Sequence, residues 1–170
     1  MAQKAITIYT PSSVAAHIYA EDDAQVHRAL IGSSSGITLA DDLLACVKVN
    51  DNTVRLSPGV YSMQGYLLCV VGGTTADLTV DSGTAGVYRH DLLIAEFIRG
   101  GGNTADTFRF RILKGAEASA AAAAVDPSLT QNDLCTGGTT RQEALYRLVI
   151  NGATLDSINR ICSFIGNVYQ

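Results

Sequence analysis

The sequence predicts a mainly β fold, an antiparallel β-sandwich or barrel-like domain with one short helix near the N-terminus. Three observations carry this. From Leu43 onward, short apolar runs are separated by turn signals at intervals of about ten residues. Within those runs apolar and polar residues alternate with the period of a strand that has one buried face. The one stretch with helical signals, "YAEDDAQVHRALIGSSSG", comes before them.

In chain order, "AITIYT" alternates Ile6 and Ile8 with Thr7 and Tyr9 and is stopped by "TPSS", so it reads as a first strand. The helix follows. Glu21, Asp22 and Asp23 sit where a helix N-terminus favours negative charge, Val26, Leu30 and Ile31 fall on one face, and Gly32 ends the segment. "LACVKV" leads through the turn "NDNT" into a strand with Val54 and Leu56 on one face and Arg55 and Ser57 on the other. "SPG" then turns the chain back into Val60, Ser62 and the apolar "YLLCVV", which predicts a three-strand meander. "ADLTVDSGTAG" supplies a strand with Leu78 and Val80 on one side, and Asp81 to Gly86 form a loop. "HDLLIAEFIR" and "DTFRFRILKG" make a hairpin with the glycine-rich tip "GGGNTAD".

The alanine-rich "GAEASAAAAAVDPSLTQND" offers helix propensity but no large apolar residue to anchor a helix, so an extended linker is preferred. The chain closes with "EALYRLVINGATLDSINRI", in which Ala144, Tyr146, Leu148 and Ile150 alternate with Leu145, Arg147, Val149 and Asn151 before a turn at "NG". There is no internal repeat. Residues 1–40, the N-terminal strand, helix and loop, form a region suited to assembly, and residues 41–170 form the β-rich domain.

At 170 residues the chain is long enough for one sizeable core. Charged residues make up only 16%, against a typical ~25%, so part of the surface is expected to be covered by other protein. The balance of 12 basic and 16 acidic residues, with no Lys/Arg cluster, argues against nucleic acid. No apolar run approaches the ~20 residues of a membrane span, so no membrane insertion is expected, and "MAQKAITIYT" lacks a signal core. Cys46, Cys69, Cys135 and Cys162 are widely spaced and read as buried free thiols.

Several residue groups offer candidate chemistry. In "YRHD", His90 and Asp91 have the parts of an acid-base pair, but neighbours on a strand point to opposite faces. The structural reading is favoured: Asp91 accepts hydrogen bonds from loop backbone, and Arg89 pairs with it or with a neighbour. His17, Asp23 and His27 make a metal set only if the loop folds back. "IGSSSG" lacks the lysine of a phosphate loop. Asp22 with Asp23, and Asp41 with Asp42, are adjacent carboxylates and do not straddle a cleft. The absence of Trp weakens a carbohydrate-stacking reading. No enzyme activity, cofactor or metal is therefore expected, and no catalytic, cofactor-binding or metal-binding residue is assigned.

Three stretches carry a family resemblance: the "V.L..G.....G" pattern over residues 54–65, the pattern running from Gly83 or Gly86 through Arg89, Asp91 and Leu92 to Phe97, and the closing "LYRLVING". Together with "AEDDAQVHRALIGSSSGITL" and "FRFRILKG", they make residues 20–158 resemble a family of small tail and baseplate proteins of phages and prophages of Gram-positive bacteria. Members often carry prolines between "KG" and "P.LTQ", where this chain has alanines. The resemblance implies a β-rich virion structural protein of the distal tail or baseplate. Such a protein is made in the bacterial cytoplasm and helps assemble the host-adsorption apparatus with other tail or baseplate proteins. It also makes Arg89 and Asp91 the residues that tie the "SGTAG" loop to the strand start. A receptor- or carbohydrate-binding module of the tail tip is the alternative. Sparse charge and few prolines predict self-association, with its contact at residues 6–31; the resemblance, whose tail-tip members sit around or beneath a tube, implies a cyclic assembly and makes a homotrimer the preferred state.

Overall fold

The computed structural model describes residues 20–101 and 104–166, so the strand expected at "AITIYT" lies outside the described residues. The fold is mainly β, with antiparallel sheets and one helix near the N-terminus, as the alternation predicts. Helix α1 spans Ala20–Ile31, and the strands are β1 (Gly36–Thr38), β2 (Cys46–Asn50), β3 (Thr53–Leu56), β4 (Gly59–Met63), β5 (Tyr66–Val70), β6 (Ala76–Thr79), β7 (Tyr88–Ile98), β8 (Thr107–Leu113), β9 (Thr140–Asn151), β10 (Thr154–Arg160) and β11 (Phe164–Ile165). They form sheets in the orders β11-β1-β4-β5, β10-β9-β7-β8 and β2-β3-β6. The one parallel pair among the described strands is β1 with β11.

The acidic first turn and Gly32 bound α1 as expected, and the Gly32 N–H closes on Arg28 O at 2.9 Å with φ +85°. The buried face is not the expected one. Ala24 is 1% exposed, whereas Val26 and Leu30 are 37% and 48% exposed. The reason lies at the β4–β5 turn, where Gln64 and Gly65 both have positive φ and make a two-residue hairpin. A side chain at Gly65 would stand 2.1 Å from Ala24 O, so only glycine lets the helix backbone settle there. His27 Nδ1 donates to Gly65 O at 2.9 Å and Arg28 Nη1 to Gln64 O at 2.8 Å. Close approach and these polar bonds choose the face.

The expected meander is replaced by a change of sheet. β3 pairs with β2 and β6, while β4 pairs with β5 and β1. "SPG" is therefore a crossover. Its backbone bonds go to the preceding loop, with Ser57 N to Ala45 O at 2.9 Å and Leu44 N to Pro58 O at 3.2 Å. A side chain at Gly59 would meet Leu44 N at 2.5 Å.

Strands β7 and β8 form the expected hairpin, and β9 pairs along the other side of β7. The alternation in β9 changes phase. Leu93 stands opposite Tyr146 and Ile94 opposite Ala144, which leaves Leu145 as the extra residue of a bulge. Glu143 and the bulge residue Leu145 are buried, and past the bulge the buried set is Tyr146, Leu148 and Ile150. The "NG" turn forms, with Gly152 at φ +58°.

This sheet curls so that β10 lies beside β2 and β8 beside β6. Lys48 Nζ donates to Leu155 O at 2.7 Å across the first gap, and Asp51 Oδ1 accepts from Leu155 N at 3.0 Å. Val54, Leu56, Leu93, Ala95, Phe97, Leu148 and Ile150 fill the shared core.

Strand β7 is buried on both faces, since Leu92 and Ile94, on the side away from that core, are 2% and 0% exposed. The alanine-rich segment, extended apart from a 3-10 turn at Ala121–Ala123, attaches to the His90 side of the sheet. It is anchored by Asp126 to His90 and Arg147, and by Thr130 to Gln142. The linker reading holds, and the linker acts as a strap.

Candidate functional site

Two side-chain groups at opposite ends of the long sheet were open to a chemical reading. At the start of β7, Arg89 and Asp91 stand two residues apart on one face of the strand, so their side chains lie together. Arg89 Nε and Nη2 reach Asp91 Oδ1 and Oδ2 at 2.8 and 3.0 Å, and the pair is 1% and 0% exposed. Arg89 Nη2 also donates to Asp81 O at 2.7 Å, and Gly115 N donates to Asp91 Oδ1 at 2.9 Å. The ion pair thus ties the loop before β7 and the end of β8 to the entrance of β7. Every ionic edge of it faces protein, which makes it a fold determinant with no surface for substrate.

His90 points to the other face, as alternation requires. Its Nδ1 lies 3.2 Å from Asp126 Oδ1, and Arg147 Nε holds the same oxygen at 2.6 Å. Hydrogen bonds from Arg147 keep the Asp126 carboxyl below its usual range, with His90 adding to the effect. The imidazole's carboxylate partner comes from the strap, 36 residues away, and not from Asp91.

At the far end, a cleft of about 320 Å³ is lined by Ser35, Tyr61, Gln131, Glu143, Cys162 and Ser163, among others. Tyr61, from β4, donates to Glu143 Oε2 at 2.7 Å, and Arg141 Nε bonds the other carboxylate oxygen. Arg141 Nη1 continues to Asn132 O at 3.1 Å, fixing the end of the strap. Burial, reinforced by the neighbouring Glu143 charge, pushes the Tyr61 phenol up. Burial likewise pushes the Cys162 thiol up to about 11. The raised pKa keeps Cys162 as the neutral thiol near pH 7, so the cleft offers hydrogen-bonding groups rather than an activated thiolate. The sequence reading passed over Tyr61 and Glu143, which are 82 residues apart. The one local signal was a carboxylate two residues beyond an arginine in a strand that otherwise turns apolar residues inward.

The remaining candidates do not converge. His17 lies outside the described residues, Asp23 is exposed, and His27 is bonded to Gly65 O. No group of three or more His, Cys, Asp or Glu suited to a metal occurs among the described residues. Asp41 and Asp42 lie on an exposed turn. Of the four cysteines, Cys69 and Cys135 are exposed and Cys46 and Cys162 are half-buried, which corrects the expectation of buried thiols.

No family model matches the chain, and no curated protein or solved structure does. The strand edges then become the informative surface. Lys48 crosses the gap beside β2, Arg109 and Arg111 line β8, and β11 is two residues long with Arg160 stacked 3.9 Å over Phe164. Edge strand β5 has none of these protections. From Tyr66 to Ala76 there is no charge and no proline. Leu67 and Val71 are 41% and 63% exposed and Cys69 is also exposed, in an alternating row. Among the described residues no strand pairs beyond β5.

Proposed function

We propose that this protein is a structural component of a phage distal tail or baseplate, which assembles the host-adsorption apparatus through contacts with its own copies and with other tail or baseplate proteins. A homotrimer is the preferred state, and the virion is the expected location. The observation that carries this reading is the uncharged, apolar outer edge of β5, on a chain whose other edges are short, charged or closed against a neighbouring sheet. The buried ionic groups point the same way, because Arg89, Asp91 and Glu143 spend their bonds on holding loops and strap in place. The phage assignment itself rests on the sequence resemblance over residues 20–158. Immunogold electron microscopy of virions with an antibody against the protein tests it: label at the tail tip or baseplate supports the reading, and virions free of label contradict it.

A second reading, a receptor- or carbohydrate-binding module, is favoured by the cleft at Tyr61 and Glu143, whose rim of Ser35, Gln131 and Ser163 suits hydroxyl-rich ligands. Binding of purified protein to host cells or to a glycan array, lost in Gln131→Ala, would establish it in place of the first.

A further inference from the structure

We propose that the Glu143 carboxylate, at the floor of the cleft beside Tyr61, binds two adjacent hydroxyls of a neutral sugar ring. This inference rests on the carbohydrate-binding reading and deepens it, by naming the atoms that hold the ligand and the feature of the ligand that is held. Tyr61 and Glu143 are the two buried residues of the cleft lining, at 1% and 8% exposure. Glu143 differs from Asp91 in what its oxygens face. The Asp91 side chain is fully enclosed, whereas that of Glu143 keeps 10% exposure and lines the cleft. Each Glu143 oxygen accepts one hydrogen bond from the fold, Oε1 from Arg141 Nε and Oε2 from the Tyr61 hydroxyl at 2.7 Å. A carboxylate oxygen has two acceptor positions, so one remains on each oxygen, side by side. Such a fork takes one O–H from each of two neighbouring hydroxyls, and hydrogen bonds to an ionised acceptor are about twice as strong as neutral ones. Arg141 and Tyr61 fix the carboxylate before a ligand arrives, which lowers the ordering cost of binding.

The ligand class follows from charge and lining. Arg141 balances the Glu143 charge, and burial keeps the Tyr61 phenol protonated, so the floor has no net charge with which to select an ion. Ser35, Gln131 and Ser163 supply further donors and acceptors, and Leu129 and Ile161 supply aliphatic wall for the C–H face of a ring. Among the described lining residues the one aromatic is Tyr61, whose ring is buried, so recognition falls on hydroxyl bonds and not on stacking. A volume of about 320 Å³ lies at the small end of the ~300–1,000 Å³ of small-molecule sites, which suits a single ring.

The test uses the full chain and its own thiols. Cys162 lines the cleft, while Cys46, half-buried on β2, lies outside the lining and serves as the internal control. Iodoacetamide labelling at pH 8, read at each cysteine by mass spectrometry, is run with methyl glucoside, methyl galactoside and methyl mannoside as titrants. Between them these present adjacent hydroxyls in both the diequatorial and the axial–equatorial arrangement. At least one is expected to slow labelling of Cys162 and leave Cys46 unchanged. Deoxy analogues lacking either hydroxyl of one adjacent pair are expected to need about tenfold or more higher concentration for the same protection, the cost of losing a hydrogen bond to a charged group. Gln131→Ala, a change at an exposed position, is expected to weaken protection without altering the circular dichroism spectrum. Glycan binding that leaves Cys162 unprotected, or protection that every deoxy analogue matches, overturns this inference and leaves the carbohydrate-binding reading standing. Absence of any binding to glycosides, glycan array and host cells overturns both.

Discussion

Removing the Asp91 carboxylate should be among the most damaging single changes in the chain. Asp91 is 0% exposed and accepts three hydrogen bonds, two from Arg89 and one from Gly115 N. Asp91→Ala leaves a guanidinium that is 1% exposed without its counter-ion, and it leaves the Gly115 N–H without its partner. Breaking a buried ion pair by removing one partner costs about 3–5 kcal/mol, more than the ~1–3 kcal/mol that lost hydrogen bonding alone would set. The expected loss is therefore about 4 kcal/mol, a large part of a domain's ~5–15 kcal/mol. With m near ~2 kcal/mol per molar, the urea midpoint falls by about 2 M. The control is built into the fold. Arg55 and Asp77 make the same bidentate contact, at 2.6 and 2.8 Å, on an exposed sheet face, and Asp77→Ala should leave the midpoint close to the parent's. Replacing both buried partners, Arg89→Leu with Asp91→Leu, should cost less than the sum of the single changes, because no uncompensated charge remains. Equal midpoints for Asp91→Ala and Asp77→Ala, or full additivity in the double variant, would refute the burial argument.

Three further outcomes follow from other parts of the fold. Gly65→Ala places a side chain 2.1 Å from Ala24 O at φ +89°, so it should detach α1 and lower stability by at least ~1–3 kcal/mol, read as a drop in the denaturant midpoint. Burial raises the Glu96 carboxyl, but bonds from Arg111, Gln142 and Arg109 outweigh it and hold the folded-state pKa below the ordinary value. The stability this contributes is fully present above the unfolded pKa of ~4.3 and is lost as pH falls through the lower folded value, so a Glu96→Gln variant should show a shallower fall in Tm below about pH 4 than the parent. Burial pushes the Cys46 thiol up to about 12 and Cys162 to about 11, whereas Cys69 and Cys135 are exposed, so alkylation at pH 8 should consume two thiols quickly and the other two more slowly, with the difference lost in denaturant.

What the sequence made legible were features written in local periodicity. The turn at Gly152 follows from "NG", and the β7–β8 hairpin and the pairing of Arg89 with Asp91 follow from period-two alternation, which also explains why His90 faces away from Asp91. Features set by distant backbone were hidden. The phase change at Leu145 comes from a bulge against β7, and nothing in "EALYRLVIN" announces it. The helix face was misjudged because an apolar stripe, Val26 and Leu30, competes with a close approach that glycine permits 41 residues later. "SPG" looks like a hairpin turn, yet its bonds to Leu44 and Ala45 make it a crossover between sheets. The cleft was hidden for the same reason, since Tyr61 and Glu143 meet only after β4 and β9 have been placed in separate sheets.

The measurement that bears most directly on the central claim is the mass of the purified full-length chain by light scattering at tens of micromolar. The assembly account predicts three times the 17.9 kDa of a single chain, unchanged on moderate dilution. A mass of 17.9 kDa across that range would contradict it.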